Sequence, residues 1–118
     1  MKKPISRQTH GVIDYAYSAV VAVLPEIAGF KEEEHATTLC RALAGGALAY
    51  SSLTKAEWGA VKAIPFKTHL LIDSTTSLFA LAAPWLLGFS RNKKARNSIL
   101  LVGLAGLAAS LLTEREEM

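Results

Sequence analysis

The 118-residue chain has a single cysteine, Cys40. One thiol cannot form an internal disulfide and has no partner for a cysteine-based metal motif, so Cys40 reads as a small apolar residue. Charge is also scarce: charged residues make up 19% of the chain against 51% hydrophobic ones. The charges are gathered in patches, at residues 2–7, 31–34, 55–67, 91–96 and 114–117, with long uncharged runs between them. A water-soluble bundle instead scatters charge along the outer face of each helix. The net charge of +3 is modest, and the basic residues flank apolar runs without interleaved aromatics, which argues against a nucleic-acid-binding face. Neither a Gly-rich phosphate loop nor a nucleophile with an oriented base is visible, so the chain is not read as an enzyme. A cleavable signal peptide is not expected either: His10 and Asp14 interrupt the first apolar segment, and that helix is expected to stay.

What is present is one unit written twice. Thr9, His10, Ile13, Asp14, Ser18, Pro25, Gly29 and Phe30 recur 59 positions on, without a gap, as Thr68, His69, Ile72, Asp73, Ser77, Pro84, Gly88 and Phe89. A helix crosses a bilayer with roughly 17 to 25 mostly apolar residues. Residues 70–89 are 20 long with Asp73 as their only charge, and residues 97–113 are 17 long with none; these two runs carry most weight. Residues 11–30 contain Asp14 and Glu26, and residues 36–54 contain Arg41, so they are weaker spans that the repeat raises. The expected fold is all-α: a four-transmembrane-helix bundle of two tandem hairpins, one membrane domain over 1–118 with repeats at 3–57 and 62–116. Each hairpin returns the chain to its starting side, which predicts a pseudo-twofold axis along the membrane normal.

Local signals place Thr9 as the first N-cap, Pro25 and Pro84 as kinks near helix ends, and Gly29 and Gly88 as stops. Small-residue spacing at Gly45 and Ala49, at Ala47 and Ser51, and at Gly103, Gly106 and Ser110 predicts close helix packing, with the second helix inside the bundle. The link over 54–67, with Trp58 and three lysines, suits the headgroup level. The leader and link hold six Lys or Arg and the two turns five. That balance, with three glutamates in the first turn, orients both termini to the cytoplasm. The expected partners are the lipid bilayer and, for so small a chain, further copies of itself, with no nucleic acid.

The run Ala83-Pro84-Trp85-Leu86-Leu87-Gly88-Phe89 resembles the SPW-repeat family of small bacterial membrane proteins. Ala83 stands where that motif has serine, and the first copy reads Leu24-Pro25-Glu26. The resemblance implies repeats of two transmembrane helices in the bacterial inner membrane, and it implies no activity.

The candidate site comes from the residues themselves. His10, Asp14 and Ser18 fall at i, i+4 and i+8 on one helical face, and His69, Asp73 and Ser77 repeat the stripe at the same depth. An ionisable residue inside a spanning helix costs about 2.5 to 3.5 kcal/mol on insertion scales, so two Asp and two His call for partners. One reading makes them interhelical glue, a buried His/Asp network with a structural or assembly role. A second makes His10, Asp14, His69 and Asp73 a small-ligand or divalent-metal site suited to zinc, iron or manganese. A third treats them as a proton or ion relay, and a fourth has His10 and His69 ligate a haem. Elsewhere, Glu26 reads as an interfacial residue ahead of a functional carboxylate, Arg41 as snorkelling to the headgroups ahead of pairing with Glu26 or a turn glutamate, and Trp58, Trp85 and Tyr50 as interfacial anchors ahead of lining a pocket.

Overall fold

The computed structural model describes residues 3–115, which form α1 (Arg7–Ala28), α2 (Glu34–Ser52), α3 (Phe66–Leu86) and α4 (Lys93–Leu111). Lys2 of the basic leader, Glu116 and Glu117 of the acidic tail, and the last residue of the second repeat lie outside the described residues. Ser6 caps α1: its Oγ accepts from the Thr9 N–H at 3.1 Å. The cap is thus three residues earlier than Thr9, whose N–H is the one being capped. Pro25 and Pro84 lie within their helices' last turns, and the chain stays helical through both. Each proline carbonyl then accepts from the phenylalanine N–H five residues on, Phe30 and Phe89, both at 2.9 Å. Gly29 and Gly88 make this closure possible, because they take φ of 78° and 77°, which an L side chain resists.

The helices pair as α1 with α2 and α3 with α4. Between the hairpins α1 meets α4 and α2 meets α3 and α4, which leaves α1 and α3 across the bundle from one another. The internal symmetry is written in paired contacts. Ile5 bridges to Thr113, and Ile64, its counterpart 59 positions on, bridges to Thr54, the counterpart of Thr113. The main core, including Val21, Phe30, Leu39, Cys40, Phe89 and Ile99, fills the half of the bundle near the two turns, and Cys40 is free and buried.

Close packing uses only part of the small-residue pattern. A Cβ on Gly103 would lie 2.9 Å from Leu81 Cγ and 3.1 Å from the Ser77 carbonyl, and one on Gly106 would run into the Ser77 hydroxyl, so these glycines let α4 approach α3. In α2 the packed pair is Ala47 and Ser51, both buried. Gly45 and Ala49, expected to pack inside, face outward, with nothing within 4 Å of a Cβ at Gly45. Two small-residue faces were available on α2, and the hairpin turned only one of them inward. Arg41 takes the less favoured of its expected roles, the pair with Glu26. It does not snorkel: its guanidinium holds the Glu26 carboxylate at 3.0 and 2.6 Å and also donates to the Ala22 carbonyl. The antiparallel hairpin sets the end of α1 beside the start of α2, which brings the pair within reach.

The bundle's exterior is apolar on every helix. Val20 and Ile27 of α1, Leu48 of α2, Leu71 and Trp85 of α3, and Leu101 and Leu104 of α4 are all about half exposed or more. By length and composition, however, α1 alone among the described helices is apolar enough to span a membrane, with a mean hydropathy of 1.4. The ranking expected from the uninterrupted runs is therefore reversed. The reason lies in the helix boundaries: α3 includes Lys67 and His69 and stops at Leu86, and α4 begins inside the basic turn at Lys93.

The link over residues 53–65 is a loop. Ile64 donates to the Leu53 carbonyl and Lys55 to the Ile64 carbonyl, each at 2.7 Å. Trp58 fastens it to α1, its Nε1 donating to the Gln8 carbonyl at 2.9 Å while the Tyr15 hydroxyl donates to the Trp58 carbonyl at 2.7 Å.

Candidate metal centre

His10 and His69 lie in the first turns of α1 and α3, with Asp14 and Asp73 one turn deeper. Both helices start at the same end of the bundle, so their polar stripes face each other across it. The four side chains meet. His10 Nε2 is 2.8 Å from Asp73 Oδ2 across the bundle and 3.1 Å from Asp14 Oδ1 in its own helix. His69 Nε2 is 2.8 Å from Asp14 Oδ2 and 3.2 Å from Asp73 Oδ2. One potential ligand atom from each of the four residues lies within 4.8 Å of all the others.

Two residues that the sequence reading passed over set the chemistry of the imidazoles. His10 Nδ1 is 2.8 Å from Thr113 Oγ1, and His69 Nδ1 is 2.6 Å from Thr54 Oγ1. Each threonine hydroxyl donates its one proton to the carbonyl four residues back, Thr113 to Ala109 at 2.5 Å and Thr54 to Tyr50 at 2.6 Å. With that proton committed, the hydroxyl oxygen must accept from the histidine, so Nδ1 carries the hydrogen on both rings. Both Nε2 atoms consequently face the carboxylates. The signal was present in the sequence: Thr54 and Thr113 are 59 residues apart, as His10 and His69 are.

An aromatic ring closes the centre on its terminal side. Phe66 stacks on His69 with ring centres 5.9 Å apart and meets His10 edge-on at 5.8 Å. His10 and His69 are each 1% exposed, and the Asp73 and Asp14 side chains 9% and 14%. The stripe's serines stand apart. Ser18 donates to the Asp14 carbonyl of its own helix at 3.0 Å, and Ser77 lines a cavity beside the cluster.

The near-twofold symmetry fails at one contact. The Tyr50 hydroxyl donates to Asp73 Oδ1, so Asp73 turns a single oxygen to both histidines, whereas Asp14 gives one oxygen to each. Tyr50, expected as an interfacial anchor, is thus part of the site. Ala109 occupies its position in the second copy.

Chemically, two imidazoles and two carboxylates form a ligand set for a divalent ion such as zinc, iron or manganese. Two carboxylates balance one dication, and the threonine-held Nδ1–H is the outer-shell arrangement that orients metal-ligating histidines. In a tetrahedral site with bonds of about 2.1 Å the ligand atoms sit about 3.4 Å apart, so an ion would spread the imidazole–carboxylate contacts of 2.8 to 3.2 Å and draw in the ligand atoms that lie up to 4.8 Å apart. A haem does not fit. The carboxylates fill the space between the imidazoles that a porphyrin would need, and the adjoining cavity is about 60 Å³.

A family model described as the SPW repeat domain matches residues 8–113, nearly the whole chain. Comparison with curated proteins and with solved structures finds no match.

Proposed function

From the premise that the chain belongs to the SPW repeat family, whose members are membrane-associated, we propose that it is a multi-pass protein of the bacterial inner membrane that binds one divalent metal ion. His10, Asp14, His69 and Asp73 are the ligands. The observation that carries this reading is the pinning of both Nδ1–H groups by Thr54 and Thr113, which turns both Nε2 atoms, with two carboxylates, toward one centre. Separate His–Asp pairs, one on each helix, would satisfy the same four groups. Gathering them instead sets two carboxylates side by side in a largely buried site, which is costly unless positive charge lies between them.

Membrane insertion through all four helices is supported by the apolar exterior, since the outward Val, Ile, Leu and Trp side chains are those lipid would solvate. Helices of 19 to 22 residues are about 28 to 33 Å long, the thickness of a bilayer core. On this reading both termini face the cytoplasm, supported by six Lys or Arg in the leader and link against five in the two turns, and the metal centre then lies about one turn inside that surface. A relay across the membrane is disfavoured because the bundle beyond the cluster is filled by the apolar core around Val21, Leu39, Ile99 and Phe89.

One observation favours a second reading, a purely structural network. The 2.8 Å separations between Nε2 and carboxylate oxygen are hydrogen-bond lengths, as expected if two protons supply the positive charge. Metal analysis of protein purified in detergent without added chelator decides between them. The metal reading expects close to one zinc, iron or manganese per chain, reduced in both His10→Ala and His69→Ala. A folded protein without stoichiometric metal, even after incubation with each ion, refutes it in favour of the network.

A further inference from the structure

The departure from twofold symmetry lies against the proposed metal centre. On one side Tyr50 packs its ring on His69, with centres 4.7 Å apart, and its hydroxyl engages Asp73. The same contact on the other side would come from position 109, next to His10 and Asp14, and there the chain has alanine. The result is a cavity of about 60 Å³ reaching Asp14, His10 and Asp73, walled by Ile13, Tyr17, Ala105, Gly106 and Ala109. A water needs about 10 to 15 Å³ of such space, so a molecule of two or three heavy atoms fits.

We infer that this cavity is an open coordination position: the metal held by His10, Asp14, His69 and Asp73 takes a small uncharged ligand, of the size and polarity of dioxygen or nitric oxide, on the face that Ala109 leaves free. The inference rests on the metal reading above. Four protein ligands already fill a tetrahedral shell, so the small molecule enters as a fifth ligand, an expansion open to metal sites that bind small molecules. The charge argues for an uncharged ligand. Two carboxylates already neutralise a dication, so an added anion would leave net negative charge in a site with little solvent to screen it. The walls are mixed: Ile13, Ala105 and Ala109 are apolar, while Tyr17, Tyr50, Thr76 and Ser77 carry hydroxyls, a lining for a small neutral ligand with some polarity. Tyr50 then has a positional role. Its hydroxyl holds Asp73 Oδ1 at the edge of the same cavity, which leaves one Asp73 oxygen for the metal.

The test uses the full-length protein in detergent micelles, loaded anaerobically with ferrous iron and exposed to nitric oxide, with the iron nitrosyl read by electron paramagnetic resonance. The expected result is one nitrosyl complex per bound iron. Ala109→Tyr restores the twofold and fills the cavity. It should keep its iron and lower nitric oxide affinity at least tenfold, and Ala109→Leu serves the same purpose if the tyrosine variant does not fold. Protein that takes up no iron, or takes it up and gives no nitrosyl signal, overturns the inference. So does an affinity unchanged in the cavity-filling variant that folds. Only failure to bind any divalent metal overturns the underlying site as well, which separates the two failures.

Discussion

Replacing Thr113 by valine tests the step on which the metal reading turns, namely that a hydroxyl sets the tautomer of a buried histidine. Valine keeps the branched shape and removes only the oxygen that accepts from His10 Nδ1–H at 2.8 Å. His10 is 1% exposed, so water does not replace the lost acceptor. Leaving a buried donor unpaired costs about 1 to 3 kcal/mol. That cost falls on the metal-bound state alone. Without metal the ring can move its proton to Nε2 and donate to Asp73 at 2.8 Å, whereas with metal Nε2 is occupied and the proton must stay on Nδ1 without a partner. At about 1.4 kcal/mol per factor of ten, affinity should fall by roughly 5- to 150-fold, a range that brackets the 10- to 100-fold typical of lost outer-shell partners. The assay is competition for metal against a chromophoric chelator, with thermal unfolding of the metal-free protein as the control for folding. Thr113→Ser should remain within about threefold of wild type, and Thr54→Val should match Thr113→Val because its histidine contact is equivalent at 2.6 Å. The reasoning fails if Thr113→Val binds metal as tightly as wild type while His10→Ala does not.

Three further outcomes follow from the geometry. Asp14→Asn and Asp73→Asn should each give a folded protein with weakened metal binding; loss of folding in either, followed by circular dichroism in detergent, would make the cluster structural glue. Gly103→Ala should lower thermal stability by about 1 to 3 kcal/mol through overpacking against Leu81 and the Ser77 carbonyl, whereas Gly45→Ala, with open space around its Cβ, should be neutral or stabilise by up to about 1 kcal/mol. Equal losses at the two glycines would mean that both small-residue faces are packed. In the link, Arg7 grips the Glu57 carboxylate at 2.9 and 3.1 Å and holds its pKa below the usual value. Because the folded pKa is depressed, the pair's contribution is full above the ordinary glutamate value of about 4.3 and disappears as pH falls through the lower folded value. An exposed pair contributes at most about 1 kcal/mol, so Glu57→Gln should lose up to that much at pH 7 and progressively less as pH falls below the ordinary glutamate value, and a loss that does not shrink on acidification would assign it to something other than the ion pair.

Much of the architecture could be read from one arithmetic regularity. The 59-residue offset reveals two hairpins, and the i, i+4 spacing of His and Asp sets each pair on one face; a twofold relation then brings the faces together at one depth. Other features depend on which side of a helix turns inward, and local pattern does not decide that. Gly45 with Ala49 and Ala47 with Ser51 have the same spacing on α2, yet one pair is exposed and the other buried. The sequence offers Arg41 both Glu26 and the headgroups, and the hairpin register decides for Glu26. Spanning weight was misassigned for a related reason: apolar runs were judged between charges, while the helices begin earlier, at Phe66 and Lys93, and take in their flanking polar residues.

The most consequential residues were hidden by being ordinary. A threonine at a helix end commonly bonds its own backbone, and Thr54 and Thr113 do so; only the arrival of a histidine from the opposite hairpin turns that local bond into a device that fixes a tautomer. Alanine at position 109 is less conspicuous still, and it acquires meaning only beside Tyr50. Duplication places every side chain near the axis twice, so a symmetric pair of residues builds a closed and balanced site. A single difference between the copies then opens one face. In this chain the matched residues, His10 with His69, Asp14 with Asp73 and Thr54 with Thr113, define the centre, and the mismatched pair Tyr50 and Ala109 defines its access. For a protein made of tandem copies, positions that break the repeat beside a conserved-in-register cluster are therefore where a ligand should be sought.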